Sequence, residues 1–157
     1  MKKTVTVICL ILTLVVGAVA LSACDKEEYN VRIEGHEWVF DNVLENVGGE
    51  AAITECSESN AEIYPEAKVV EIKVSVKSGT LTVEHVTAGT TSVYVLAEEE
   101  YIEGKSSIYI LEDEEGNEAG YATIGVTSYH DGSEEYTLII RTGDRYEYFS
   151  EEITDKE

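Results

Sequence analysis

Residues 68–83 read Lys-Val-Val-Glu-Ile-Lys-Val-Ser-Val-Lys-Ser-Gly-Thr-Leu-Thr-Val. Val70, Ile72, Val74 and Val76 fall on one side of an extended chain, with Glu71, Lys73, Ser75 and Lys77 on the other. A period of two is the mark of a strand with one face in a core and one in water. Ser78-Gly79 then reverses the chain, and Leu81 and Val83 carry the apolar face into a second strand. The stretch is a β-hairpin, and its alternation sets the reading of the whole chain.

The same period recurs on both sides of it. Trp38 and Phe40 mark a first strand and Ala51 to Glu55 a second. After the hairpin come Thr91 to Leu96, Ser106 to Leu111, Glu118 to Ser128, Tyr136 to Arg141 and Arg145 to Phe149. The runs Asp113-Glu114-Glu115-Gly116-Asn117, Asp131-Gly132-Ser133 and Gly143-Asp144 supply turn chemistry between them. Asp41 to Val47 is expected to form a turn of helix. About eight or nine strands on short connections make an all-β, antiparallel up-and-down meander. Closing into a barrel hides the edges of such a sheet, and a two-sheet sandwich is the runner-up. Gly120 and Gly125, inside one long strand, are the expected places for the wall to bend.

Upstream of the strands the chain changes character. Lys2 and Lys3 precede an uncharged, almost wholly apolar run from Val5 to Ala20, which ends in Leu21-Ser22-Ala23-Cys24. A transmembrane helix accounts for the run but not for the cysteine, and charge resumes at Asp25. A secretory signal cleaved without lipid is the other reading. The four residues resemble the lipobox of bacterial lipoproteins. That resemblance implies a signal-peptide helix over residues 1–23, removed after Leu21, Ser22 and Ala23 enter the peptidase. It also implies acylation of Cys24 and attachment to the extracytoplasmic face of the cell membrane. Two or more acyl chains give persistent anchoring. Residues 24–34 are then the lipidated cysteine and a short tether, and residues 35–157 the β-barrel domain.

Without residues 1–23 the chain keeps 134 residues, enough for one domain with its own core. Nine Lys and Arg then face 32 Asp and Glu, a net charge of −23. Such a surface argues against nucleic acid and against lying flat on anionic lipid. It suits a domain that stands off from the membrane. Cys9 falls in the signal and Cys24 takes the lipid, so Cys56 is left alone and is read as a small buried hydrophobe.

A single tryptophan opening the first strand behind a glycine, followed by an acidic meander, resembles the lipocalin-like barrels. Their Gly-x-Trp corresponds to Gly35-His36-Glu37-Trp38, which has one residue more. The resemblance implies that Trp38 closes one end of a barrel, and that Arg141 or Arg145 packs over it. It also implies a ligand-binding interior.

No catalytic constellation stands out, and no cofactor is implied. His36, His85 and His130 are far apart and share no metal-binding spacing. The loop from Asp113 to Glu118 is rich in oxygen ligands but lacks the spacing of a calcium loop, and reads as a charged turn. Glu98-Glu99-Glu100 and Glu134-Glu135 read as solvated faces, and no Gly-x-Ser-x-Gly elbow or phosphate loop occurs. Ten tyrosines against two phenylalanines are more telling. Tyr94, Tyr109, Tyr121, Tyr129, Tyr136, Tyr146 and Tyr148 fall in or beside the strands, either as cross-strand packing or as the lining of a pocket or a binding face. The expected function is a non-catalytic binding domain held by lipid, taking a small or hydrophobic ligand. The alternative is a protein-binding module whose acidic surface recognises a basic partner, similar to the envelope lipoproteins that inhibit lysozyme. An internal pocket on the order of a few hundred cubic ångströms, lined by apolar side chains and opening to solvent, would favour the first, and a filled barrel with a flat tyrosine-rich face the second.

Overall fold

The computed structural model describes residues 29–153; Leu21, Ser22, Ala23 and Cys24 lie outside the described residues. Among the described residues ten strands form one sheet: β1 Val39–Val47, β2 Glu50–Cys56, β3 Lys68–Val69, β4 Ile72–Lys77 and β5 Thr80–His85, followed by β6 Thr90–Ile102, β7 Ser106–Glu112, β8 Glu118–Ser128, β9 Glu134–Thr142 and β10 Arg145–Glu152. Their order across the sheet is β3-β2-β1-β10-β9-β8-β7-β6-β5-β4. The fold is all-β and barrel-like, a single curled sheet rather than the two sheets of a sandwich.

The two edge strands, β3 and β4, are consecutive pieces of one extended stretch. Lys68 and Val69 pair with β2, whereas Ile72 to Lys77 pair with β5. The sequence reading of residues 68–77 as one strand is thus corrected in one respect: the chain changes partners at Val70-Glu71. This change draws the two edges of the sheet together, and β1 lies against β4. Counted as one, the stretch makes nine strands around the curl. An odd ring cannot alternate in direction all the way round, so one neighbouring pair must be parallel. That pair is β2 with β3. Parallel neighbours need a crossover rather than a tight turn, and residues 57–67 provide it, with a 3-10 turn at Glu58–Asn60.

Asp41 to Val47 is strand, not helix. Pairing with β10 skips Asp41, a bulge between Phe40 and Asn42. The bulge puts the inward residues Phe40 and Val43 three apart, a spacing that imitates a helical face. Ser78 and Gly79, with φ of 52° and 73°, form the expected tight hairpin turn.

Inward side chains fill the curl. Phe40, Val43, Ile72, Leu81, Val83, Leu111, Ala122, Ile124, Leu138, Ile140 and Phe149 form one buried cluster. The stretch before β1 belongs to it. Val31 and Ile33 are fully or almost fully buried, so residues 29–37 cross one end of the barrel as a plug instead of hanging free. Ser107 Oγ donates to the Val31 carbonyl, Tyr29 to Glu134, and Arg32 to Glu98. The Gly79 N–H donates to Glu34 at 2.8 Å. The plug therefore ties together strands from much of the circumference.

Candidate functional site

Trp38 sits at the plugged end, packed against the core as the first residue before β1. The ring that packs on it is His36, with centroids 4.8 Å apart, and His36 also meets the Tyr136 ring at 4.5 Å. His36 Nδ1 contacts Glu151, and its Nε2 lies 2.9 Å from the Asn30 carbonyl. Neither arginine expected over the tryptophan is there. Val39 is opposite Ser150 but Glu45 is opposite Arg145, so the partner of Arg145 is seven residues, roughly 20 Å, along the strand from Trp38.

Arg145 instead organises the far end of the interior. Its Nε donates to Glu147 Oε1 at 2.8 Å, one terminal nitrogen to Glu45 at 3.2 Å and the other to Glu55 at 2.6 Å. His85 Nε2 lies 2.7 Å from the same Glu147 oxygen. Burial disfavours the Arg145 charge, yet the carboxylates of Glu55 and Glu147 outweigh it and raise its pKa further above the ordinary value. The hydroxyl of Thr54, then Arg145, hold Glu45 below the usual carboxylate range. Beside this network a half-open cleft of about 260 Å³ is lined by Glu55, Lys68, Val70, His85, Thr87 and Arg145.

The outer wall carries a different surface. On β10, Glu147 and Phe149 face inward, which turns Tyr146 and Tyr148 outward. Cross-strand pairing then builds two adjacent rows. One runs Ile53, Leu44, Tyr146, Arg141, Tyr121, Ile110. The other runs Tyr148, Ile139, Thr123, Ile108. All but Arg141 are half-buried by their neighbours. Directly opposite residues share a face of the sheet, so β2, β1, β10, β9, β8 and β7 present one aliphatic and tyrosine surface. The Arg141 guanidinium lies 5.3 Å from the Tyr146 ring centroid. Tyr121 donates to Glu118 at 2.6 Å, which raises its phenol pKa. Burial, then the neighbouring Tyr146, raises that of Tyr148. A notch of about 190 Å³ beside Tyr121, Arg141 and Gly143 interrupts the surface at one side.

The other tyrosines divide differently. Tyr94 and Tyr109 pack inward against the core, Tyr136 joins the plug, and Tyr129 is exposed in the loop before β9. Sequence alternation marks Tyr146 and Tyr148 as outward partners of buried Phe149, and pairing register adds Tyr121. The register is what the sequence lacks.

His36, His85 and His130 occupy the plug, the far-end network and an exposed loop, and no group of metal-ligating side chains occurs among the described residues. In the acidic loop, Asp113 Oδ1 accepts the N–H groups of Glu115 and Asn117 at 2.9 Å each. Those bonds, the Asn117 N–H first, lower the Asp113 pKa. Glu98, Glu99 and Glu100 are exposed on β6 across a bulge, and Glu134 and Glu135 begin β9. Cys56 is wholly buried and free.

Comparison with protein-family models, with curated proteins and with solved structures finds no match to this chain.

Proposed function

We propose that this protein is a lipid-anchored, non-catalytic protein-binding module of the cell envelope, tethered through Cys24, whose acidic barrel captures a basic partner on its tyrosine face. The observation that carries the reading is the outward pair of rows through Tyr121, Tyr146 and Tyr148, on a barrel whose interior is occupied by its own side chains. Tyrosine supplies large contact area with few rotatable bonds and is enriched where binding energy concentrates. The net charge of −23 after removal of residues 1–23 attracts a basic protein to the barrel, and the tyrosine face supplies the contact area. Binding of a small ligand is the second reading, favoured by the cleft of about 260 Å³ at the Arg145 end.

Two measurements test the first reading. Metabolic labelling with a fatty acid is expected to mark the wild type and not Cys24→Ala, and equal labelling of both rejects the anchor. Titration of the detergent-solubilised lipoprotein with lysozyme as a basic probe is expected to weaken from low to physiological salt. Tyr121→Ala and Tyr146→Ala are each expected to weaken it by about tenfold, a cost of ~1.4 kcal/mol. Binding indifferent to salt and to both substitutions rejects the interface.

A further inference from the structure

The plug fixes where the chain leaves the barrel. A Cβ built on Gly104 would lie 4.0 Å from the Tyr29 backbone nitrogen, and the Tyr29 hydroxyl reaches Glu134 at the start of β9. Tyr29 therefore emerges between two turns, the β6–β7 turn at residues 103–105 and the β8–β9 loop at residues 129–133. Exposed apolar side chains stand at both: Tyr101 and Ile102 end β6 beside the first turn, at 37% and 42% exposure, and Tyr129 lies on the second, at 47%. Arg32, from the plug, lies 3.8 Å from the Tyr101 ring centroid and fixes that ring at the rim.

Cys24 precedes Tyr29 by five residues, a reach of at most about 18 Å. We propose that the rim formed by Tyr101, Ile102 and Tyr129 rests on the lipid surface that holds the chain, with the barrel upright and the Arg145 cleft pointing away. The inference rests on lipidation of Cys24. Tyrosine rings suit the boundary between headgroups and acyl chains, where one part is wet and the other apolar. The rim also carries Glu99, Glu100, Glu103 and Asp131, all exposed. Anionic headgroups repel these carboxylates, so the surface that fits is electrically neutral lipid. The upright pose turns the tyrosine face sideways, parallel to the membrane normal and open to a partner.

The test uses the full lipidated protein in phosphatidylcholine vesicles doped with brominated lipid. A bimane label is placed in turn at Ile102→Cys and Tyr129→Cys on the rim, and at Glu115→Cys and Asp144→Cys at the far end. Cys56 is buried in the folded protein and stays unlabelled. Quenching at the rim positions is expected to exceed that at the far-end positions by at least about twofold, and to fall when phosphatidylglycerol replaces half of the lipid. Equal quenching at all four positions, in protein that floats with the vesicles, overturns the proposal. Protein that carries no fatty acid on Cys24 fails to float, so failure of the anchor is read separately from failure of the rim.

Discussion

Arg145 and Glu147 face the interior from the same strand, two residues apart, and Arg145 Nε donates to Glu147 Oε1 at 2.8 Å. Only 5% of the Glu147 side chain is exposed, and that oxygen also meets His85 from β5. A carboxylate so placed is tolerable only while its partners remain. The pair therefore couples β10 to β5 across the barrel, while Glu45 and Glu55 extend the same network to β1 and β2.

Removing the guanidinium leaves Glu147 without its strongest donor. Arg145→Met is expected to destabilise the protein by about 3 kcal/mol, the lower end for a buried pair because Arg145 itself is partly exposed. The double variant Arg145→Met with Glu147→Leu should recover part of the loss, since the most deeply buried carboxylate goes with its partner while Glu45 and Glu55 keep some contact with water. Urea denaturation reads both. A cost below about 1 kcal/mol for the single variant would show that water, not Arg145, solvates Glu147.

Gly120 faces inward where β8 crosses close to β9. A Cβ there would lie 1.9 Å from the Arg141 carbonyl oxygen, which is backbone and cannot swing aside. Gly120→Ala is expected to cost about 3 kcal/mol, at the high end of overpacking penalties. Gly125, where a Cβ would sit 3.7 Å from the Lys105 carbonyl, has room. Gly125→Ala should change stability by less than about 1 kcal/mol. Similar losses at both sites, read from thermal unfolding, would mean that strand flexibility rather than close approach is what glycine supplies.

The alternation over residues 68–83 and the turn residues beyond it carried most of the strand pattern, because a barrel wall has one wet and one dry face and the period of two records it. Asp41 was misread because a bulge is a pairing event, invisible until the partner strand is known. The plug was missed for a related reason. Val31 and Ile33 alternate like a strand but are too short and too mixed with charge to announce a core element. Their burial depends on the shape of the barrel end, which no local pattern encodes. The tyrosines were legible as a group, yet their division into inward and outward members needs the register between strands. The resemblance offers Arg141 or Arg145 for the place over Trp38, while the register sets both at the other end.

Trp38 tests how far the plugged end contributes to stability. Its indole is partly buried against the core and contacted by His36, and its N–H has no hydrogen-bond partner among the described residues. Trp38→Ala is expected to cost about 3 kcal/mol from lost burial and the cavity left behind. Trp38→Phe removes the unsatisfied N–H as well as some area, so its cost should be much smaller. Chemical denaturation followed by circular dichroism compares the two without relying on tryptophan fluorescence. A cost below about 1 kcal/mol for Trp38→Ala would place the ring outside the cooperative core.

Asp41, the residue of the bulge, gives a prediction about pH. Burial, partly offset by a hydrogen bond from Ser150, raises its carboxyl pKa above the ordinary 3.8. The folded protein thus binds this proton more tightly than the unfolded chain does. Stability from this group is fully present below the unfolded pKa and is lost as pH rises through the folded one. Asp41→Asn keeps the shape without the charge, and the backbone carbonyl that accepts from Ser57 at 2.9 Å is untouched. The variant should be more stable than the wild type near neutral pH, with the advantage shrinking toward the acid side of the ordinary carboxylate pKa. Urea midpoints across that range measure the difference. An advantage that grows on acidification, or a variant less stable at neutral pH, would show that the ionised carboxylate is held by its hydrogen bonds more strongly than burial opposes it.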